Sequence, residues 1–249
     1  MAELPPASLD ARLIGRLRAA RHIAALTGAG ISAESGLATF RDAQTGLWAR
    51  FDPHELATPS AFARNPQLVW DWYAWRRELA AGALPNAGHA ALALLERRLP
   101  EFTLITQNVD GLHQRAGSRN VVELHGNIGR VKCSREGTLV ERWAASPGAV
   151  PRCAQCGALL RPDVVWFEES LPEHALAAAE DAVRRCEVLL VVGTSAEVYP
   201  AAALPERARR SGALVVEINP HATALSASAD HVLRAAAGVA LPALVSGLD

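Results

Sequence analysis

The chain is almost without lysine: of its 25 basic residues only Lys132 is one, and the rest are arginines. Alanine fills roughly a fifth of the positions. Both biases are what the codon usage of a GC-rich genome produces, and neither marks a function. An excess of charge is also missing. With 25 basic and 26 acidic residues the net charge is −1, so no global basic field draws the chain to nucleic acid or to an anionic membrane. Long hydrophobic runs are absent. Runs such as Val188 to Val192 are far too short to span a bilayer. The opening MAELPPASLD has an acidic residue and prolines where a secretory leader needs an apolar stretch, so no export is expected. Cysteine is scarce, with four residues in all. Two of them form Cys153-x-x-Cys156, a pattern that favours metal binding in a reducing compartment over a disulfide framework. The expected address is the cytoplasm, with neither membrane nor nucleic acid as partner.

What is present suits a globular enzyme. The chain has 249 residues, half of them apolar and a fifth charged, enough for one large domain with an insertion or for two modest ones. Four apolar, β-prone runs end in polar or glycine-rich loops: HIAALT into GAGIS, FTLIT into QNVDG, EVLLVV into GTS, and ALVVEI into NPH. Continuous apolar strands imply burial on both faces, as in a parallel sheet. Helical patterns separate them at Leu9 to Arg21 with Ser8 as a candidate cap, Asn86 to Arg98, Glu173 to Arg185 after Pro172, and Ala201 to Arg210 after Pro200. The expected fold is α/β, a Rossmann-like doubly wound parallel sheet. Ligands bind such sheets at the carboxyl ends of the strands, where all four loops should converge. Two stretches break the alternation. Residues 37–85 read as a helical module. Residues 128–162, with the cysteine cluster and little apolar periodicity, read as a small metal-stapled insertion. Segments 1–36, 86–127 and 163–249 then form the Rossmann-like domain.

Several loops carry candidate chemistry. Gly28-Ala29-Gly30-Ile31-Ser32-Ala33 is a G-x-G-x-x-A turn in which glycines let backbone approach a pyrophosphate, with the start of the next helix favouring the anion. A ligand-free strand-to-helix turn looks the same, but here the motif continues through Glu34-Ser35-Gly36 to Thr39-Phe40-Arg41-Asp42 and Gln44-Thr45-Gly46-Leu47-Trp48. In Gln107-Asn108-Val109-Asp110-Gly111, three polar side chains at a strand end are costly unless they meet a ligand or one another. They suit a ribose and a carboxamide, and equally a set of local caps. His125 in Glu123-Leu124-His125-Gly126 titrates near neutrality and suits a general base, although a single histidine is often structural. On a helix Val69, Trp72, Tyr73 and Arg76 share one face, which puts a charge on an aromatic surface. A guanidinium whose stem packs while its head reaches water would look alike.

Taken in order, GAGISAESG, TFRD, QNVDGLHQRAG, ELHG, GTS and the strand-end IN resemble the signature set of the sirtuins, from about residue 20 to the C-terminus. The resemblance implies a Rossmann-like large domain and a small domain built of a zinc module and a helical module. It also implies NAD as a consumed co-substrate. His125 matches the general base, and Asn108, which with His125 makes the implied catalytic pair, holds nicotinamide and its ribose together with Asp110. The implied NAD contacts are Gly28, Ala29, Gly30, Ser32, Glu34, Phe40, Arg41, Trp48, Gln107, Asn108, Val109, Asp110, Gly193, Thr194, Ser195, Asn219 and Ala237. Tyr73-x-x-Arg76 resembles the pair by which class III sirtuins recognise acidic acyl groups, and Ala57 the small residue that leaves room for them. Val164 and Phe167 lie in a stretch resembling the strand that pairs with substrate, where Glu168 stands in place of a glycine. Cys133, Cys153 and Cys156 match zinc ligands. The first half-site reads Cys133-Ser134-Arg135-Glu136 instead of Cys-x-x-Cys, so the fourth ligand is missing. Cys186 is expected in the core.

The expected function is NAD-dependent removal of succinyl, malonyl or glutaryl groups from protein lysines, with weaker deacetylation. The products would be nicotinamide and O-acyl-ADP-ribose, and the partners acyl-lysine proteins or peptides. Two alternatives stand: a mono-ADP-ribosyltransferase on the same scaffold, and a non-catalytic sensor of NAD or ADP-ribose. A hydride-transferring dehydrogenase has no use for the QNVDG and ELHG sets.

Overall fold

The computed structural model describes residues 10–37, 53–143 and 148–248. The first helix, α1 (Ala11–Ala19), leads into β1 (His22–Thr27). Three helices follow, α2 (Pro53–Leu56), α3 (Pro59–Arg64) and α4 (Pro66–Gly82), then α5 (Ala87–Arg98), β2 (Glu101–Thr106), α6 (Leu112–Arg115) and β3 (Val121–Glu123). The ribbon β4 (Gly126–Cys133) and β5 (Leu160–Val164) precedes α7 (Glu173–Arg185), β6 (Val188–Val192), α8 (Leu204–Arg210), β7 (Leu214–Ile218), β8 (His231–Leu233) and α9 (Ala237–Ser246).

The main sheet is parallel throughout, in the order β3-β2-β1-β6-β7-β8. Every position of β1 and β6 is buried, as the unbroken apolar runs require. Alternate residues serve two cores. Ile23, Ala25, Leu104 and Leu190 join Leu13, Leu17, Leu92 and Leu241 on one face. Ala24, Leu26, Ile105 and Leu189 join Ala179, Val183, Leu204 and Ala208 on the other. Strand order reverses between β1 and β6, which makes the crevice above them the switch point where such sheets bind ligands.

Four details depart from the sequence expectations. Asp10 caps α1, its carboxylate accepting from the Arg12 N–H at 2.8 Å, while Ser8 lies outside the described residues. The turn after β1 opens no α-helix; Ala29–Ser35 is a 3-10 helix closed by Gly36 in the left-handed region. The pattern from Ala201 starts as a 3-10 turn, Ala201–Ala203, and becomes α-helical at Leu204, with Pro205 in the first turn where a missing N–H costs nothing. The ribbon β4–β5 and the edge strand β8 carry no clear period in the sequence.

The described residues of the excursion from Pro53 to Gly82 form three helices. α3 and α4 each begin at a proline behind a capping side chain: Thr58 accepts from the Ala61 N–H at 3.0 Å and Asn65 from the Leu68 N–H at 3.1 Å. β4 and β5 pair antiparallel, with an irregularity between Asn127 and Val131. Behind them Trp70 packs with Val131, Cys133, Cys153 and Leu160. Among the described residues no helix is long and apolar enough to cross a membrane.

Candidate functional site

The loops that follow β1, β2, β6 and β7 meet at the carboxyl end of the sheet, and hydrogen bonds join them. The Asn108 amide donates to the Gly28 carbonyl and to Ser32 Oγ, both at 3.1 Å. Ser32 Oγ donates to Asp110 Oδ2 at 2.7 Å. Gln107 Nε2 donates to Thr194 Oγ1 at 2.9 Å, and Asn219 Nδ2 to the Thr194 carbonyl at 3.1 Å. The costly polar cluster at the end of β2 therefore meets the neighbouring loops after β1 and β6. The glycines have a further reason to be glycines. The Gly30 N–H donates to the Gly193 carbonyl at 2.8 Å. A Cβ on Gly28 would lie 2.8 Å from Thr194 Cβ, and one on Gly193, whose φ is +60°, would lie 2.5 Å from the Ile31 nitrogen. Close approach of one strand-end loop to the next leaves no room for side chains.

The remaining nucleotide candidates spread around this crevice. Ala29 is half-buried and Ser195 partly exposed beside Thr194. Glu34 is exposed, and its carboxylate accepts from the Gly238 N–H at 2.7 Å in the first turn of α9, next to buried Ala237. The Val109 carbonyl accepts from the Ile128 N–H at 2.8 Å, which ties the β2 loop to β4. Phe40, Arg41 and Trp48 lie outside the described residues. The donor set present, a carboxylate with amides and hydroxyls at strand ends above a glycine-lined turn, fits the hydroxyls, carboxamide and phosphates of a dinucleotide.

His125 sits just past β3, and its Nδ1 lies 2.9 Å from the Gln107 carbonyl. A carbonyl only accepts, so Nδ1 carries the proton and Nε2 keeps its lone pair. Burial lowers the His125 pKa, partly offset by that bond. The result is a neutral imidazole with a fixed tautomer and a free basic nitrogen.

Next to it lies an apolar cluster. The Val165 N–H donates to the His125 carbonyl and the Phe167 N–H to the Ala57 carbonyl, each at 2.9 Å. The segment after β5 thus bridges the histidine and the helical module. Ala57, Val69, Tyr73, Val164 and Trp166 pack in one cluster, with Trp72 and Val109 against it. Phe167 is partly exposed. The Arg76 guanidinium lies 4.8 Å from the Trp72 ring centre and 5.7 Å from that of Tyr73. Burial depresses the pKa of Arg76, while Tyr73 and Asp110 pull it back up. Burial likewise raises the Tyr73 phenol. Tyr73 therefore packs with Ala57, and Arg76 lies against the Tyr73 and Trp72 rings.

Cys133, Cys153 and Cys156 converge, with their sulfurs all within 4.8 Å of one another and Cys133 and Cys153 buried. Three thiolates at that spacing fit a zinc ion. Cys186 lies in the sheet core, its thiol pushed up to about 12 by burial.

Sequence reasoning missed several supporting groups. Asn86 Nδ2 donates to the Ile31 carbonyl at 2.7 Å and to Ser35 Oγ at 3.0 Å, which anchors the glycine turn to α5. Arg161 is buried, with its guanidinium 3.4 Å from the Trp166 ring centre; it donates to both Glu169 oxygens at 2.6 and 2.8 Å. Glu169 also accepts from the Trp166 N–H at 2.8 Å, so this pair holds the bridging segment. Below the crevice, His89 and His113 are fully buried, their rings 4.9 Å apart. Only the unusual burial of these polar groups identifies them, and a sequence does not display burial. Glu168 has φ +71°, which explains why a glycine fits this position.

Comparison with known proteins agrees with this geometry. The model of the Sir2 family matches residues 28–200. An NAD-dependent protein deacylase of Aquifex aeolicus is 56% identical over 212 residues, covering 84% of this chain and 87% of its own. One from Ralstonia nicotianae is 51% identical over 247 residues, covering 98% and 100%. The solved structure of a Sir2 homologue in complex with NAD superposes with a TM-score of 0.91 at 48% identity, covering 97% of this chain and 94% of that one. The crevice at the switch point, with His125 beside it, thus sits within a match that takes in most of the sequence, and the chain belongs to the Sir2 family.

Proposed function

We propose that this chain, an NAD-dependent protein deacylase, acts preferentially on lysines bearing acidic acyl groups: succinyl, malonyl or glutaryl. The observation that carries the preference is Arg76, a desolvated guanidinium beside the Trp72 and Tyr73 rings, on the helix whose Val69 and Tyr73 pack in one cluster with Ala57. A carboxylate entering an apolar pocket loses its water and must be paired. A guanidinium offers that pairing in two-pronged form and keeps its charge at working pH. The Tyr73 hydroxyl supplies a second polar contact.

The crevice residues would hold NAD: the Gly28–Ser32 turn at the phosphates, Asn108 and Asp110 at the nicotinamide end, and Gly193, Thr194, Ser195 and Asn219 at the adenosine end. Bound there, NAD supplies an electrophilic ribose carbon as nicotinamide departs. The chain's part is largely to hold the acyl-lysine oxygen in line with that carbon, a gain of orientation. His125 is the proposed base. Neutral, with its proton fixed on Nδ1 by Gln107, it presents Nε2 to take a proton from a ribose hydroxyl. Val164 and Phe167 lie along the bridging segment, where an extended peptide would run.

The test is the ratio of kcat/KM for succinyl over acetyl peptide in the wild type and in Arg76→Met. Removing one member of a buried charge pair costs about 2–5 kcal/mol, which is on the order of 30- to 3,000-fold in succinyl kcat/KM. Acetyl activity should change little. An equal fall in both activities would make Arg76 a packing residue and remove the proposed preference.

A further inference from the structure

We infer that the cysteine site binds zinc through three protein thiolates only, and that its fourth coordination position is open to solvent and exchangeable. The three sulfurs of Cys133, Cys153 and Cys156 lie within 4.8 Å of one another, and no fourth histidine, cysteine or carboxylate of the described residues joins that group. The sequence leaves no reserve. Of four cysteines, the remaining one, Cys186, is packed in the sheet core with Leu189 and Val183.

The place where a fourth ligand belongs is visible. Cys153 and Cys156 sit three residues apart on one turn, and the other turn repeats that spacing from Cys133 to Glu136. The Glu136 N–H donates to Cys133 Sγ at 3.5 Å, so the backbone at 136 already lies against the cluster. The Glu136 side chain is exposed and its carboxylate stays outside the sulfur group. Cys133 and Cys156 Sγ are 3.4 Å apart, and Cys133 and Cys153 pack with Trp70, Val131 and Leu160. Apolar packing covers Cys133 and Cys153, while residues 134–137 are exposed, and the inferred open position lies beside that turn.

A tetrahedral zinc with three protein ligands keeps a water or an exogenous ligand in the fourth place, whereas a closed structural site does not. Such an ion should leave more readily to a chelator, because the entering ligand has a position from which to attack. The chemistry that would occupy the position is a small donor of the kind zinc accepts: water, a free thiolate or an imidazole.

The experiment uses the zinc-loaded full-length chain. Zinc transfer to excess 4-(2-pyridylazo)resorcinol is followed in the wild type, Glu136→Cys and Glu136→Ala. X-ray absorption on the wild type counts sulfur neighbours. The open site predicts three sulfurs and one oxygen or nitrogen. It predicts release slowed about tenfold or more in Glu136→Cys, since even groups outside the ligand shell change metal affinity by about 10–100-fold. It predicts an unchanged rate in Glu136→Ala. Four sulfurs, a Glu136→Cys rate equal to wild type, or no zinc retained by the wild type would overturn the inference. Faster release in Glu136→Ala would make the carboxylate the fourth ligand and overturn it as well. Position 136 is exposed and on a turn, so these variants leave the fold intact.

Discussion

His125 holds its Nδ1 proton on the Gln107 carbonyl and presents a bare Nε2. His125→Ala should therefore lose about 10²–10⁴-fold in deacylation rate while NAD still binds, read by turnover beside a binding titration. Turnover equal to wild type would remove His125 from the chemistry. Since burial lowers its pKa, the acid limb of kcat/KM should fall below the ordinary histidine value of about 6.5. His113 makes a different prediction. It is buried neutral, its Nε2 lies 2.9 Å from Thr27 Oγ1, and desolvation takes its pKa from 6.5 to about 3. Between those values the unfolded chain binds a proton that the native one does not. Stability then falls with pH, beginning at about 6.5, by up to about 1.4 kcal/mol per unit from this one group. His113→Gln should flatten that slope in urea titrations between about pH 4 and about pH 6. An unchanged slope would place the acid sensitivity elsewhere. None of this burial was legible in the sequence, where His125 had a motif around it and His89 and His113 were ordinary histidines.

At the scale of elements, the parallel strands and their loops were the most legible part. Unbroken apolar runs such as HIAALT can only be buried on both faces, and each ends at a loop that the sheet carries to one edge. The β4–β5 ribbon was not legible, because its apolar residues divide between a pairing partner, Trp70 and the cysteines, which leaves no simple period. The glycine turn was read for its approach to phosphate, yet the structure adds a second demand, the contact of Gly28 and Gly30 with the loop of Gly193. Gly193→Ala should then be strongly destabilising. The left-handed backbone alone costs about 1–3 kcal/mol, and the contact with the Ile31 nitrogen adds to it. The expected result is a lower unfolding midpoint in urea together with weaker NAD binding. A variant of normal midpoint would mean that the two loops can part without cost.

For the whole molecule, a crevice lies at the reversal of strand order, and an apolar cluster holding Ala57 and Tyr73 lies beside it. The segment 164–169 joins them by bonding to both His125 and Ala57. Family and chemistry were legible because the motifs gather where the sheet brings its loops together. The proposed acyl choice rests in the sequence on Tyr73-x-x-Arg76 alone, and spacing cannot tell a charge that reaches water from one held among rings. The most direct measurement gives the wild-type enzyme NAD and one peptide carrying acetyl, succinyl, malonyl or glutaryl on the same lysine, and follows kcat/KM for each with mass spectrometry of the O-acyl-ADP-ribose released. The desolvated Arg76 predicts that at least one acidic acyl group exceeds acetyl by about tenfold or more, the equivalent of about 1.4 kcal/mol of pairing. An enzyme that prefers acetyl to all three acidic groups would contradict it.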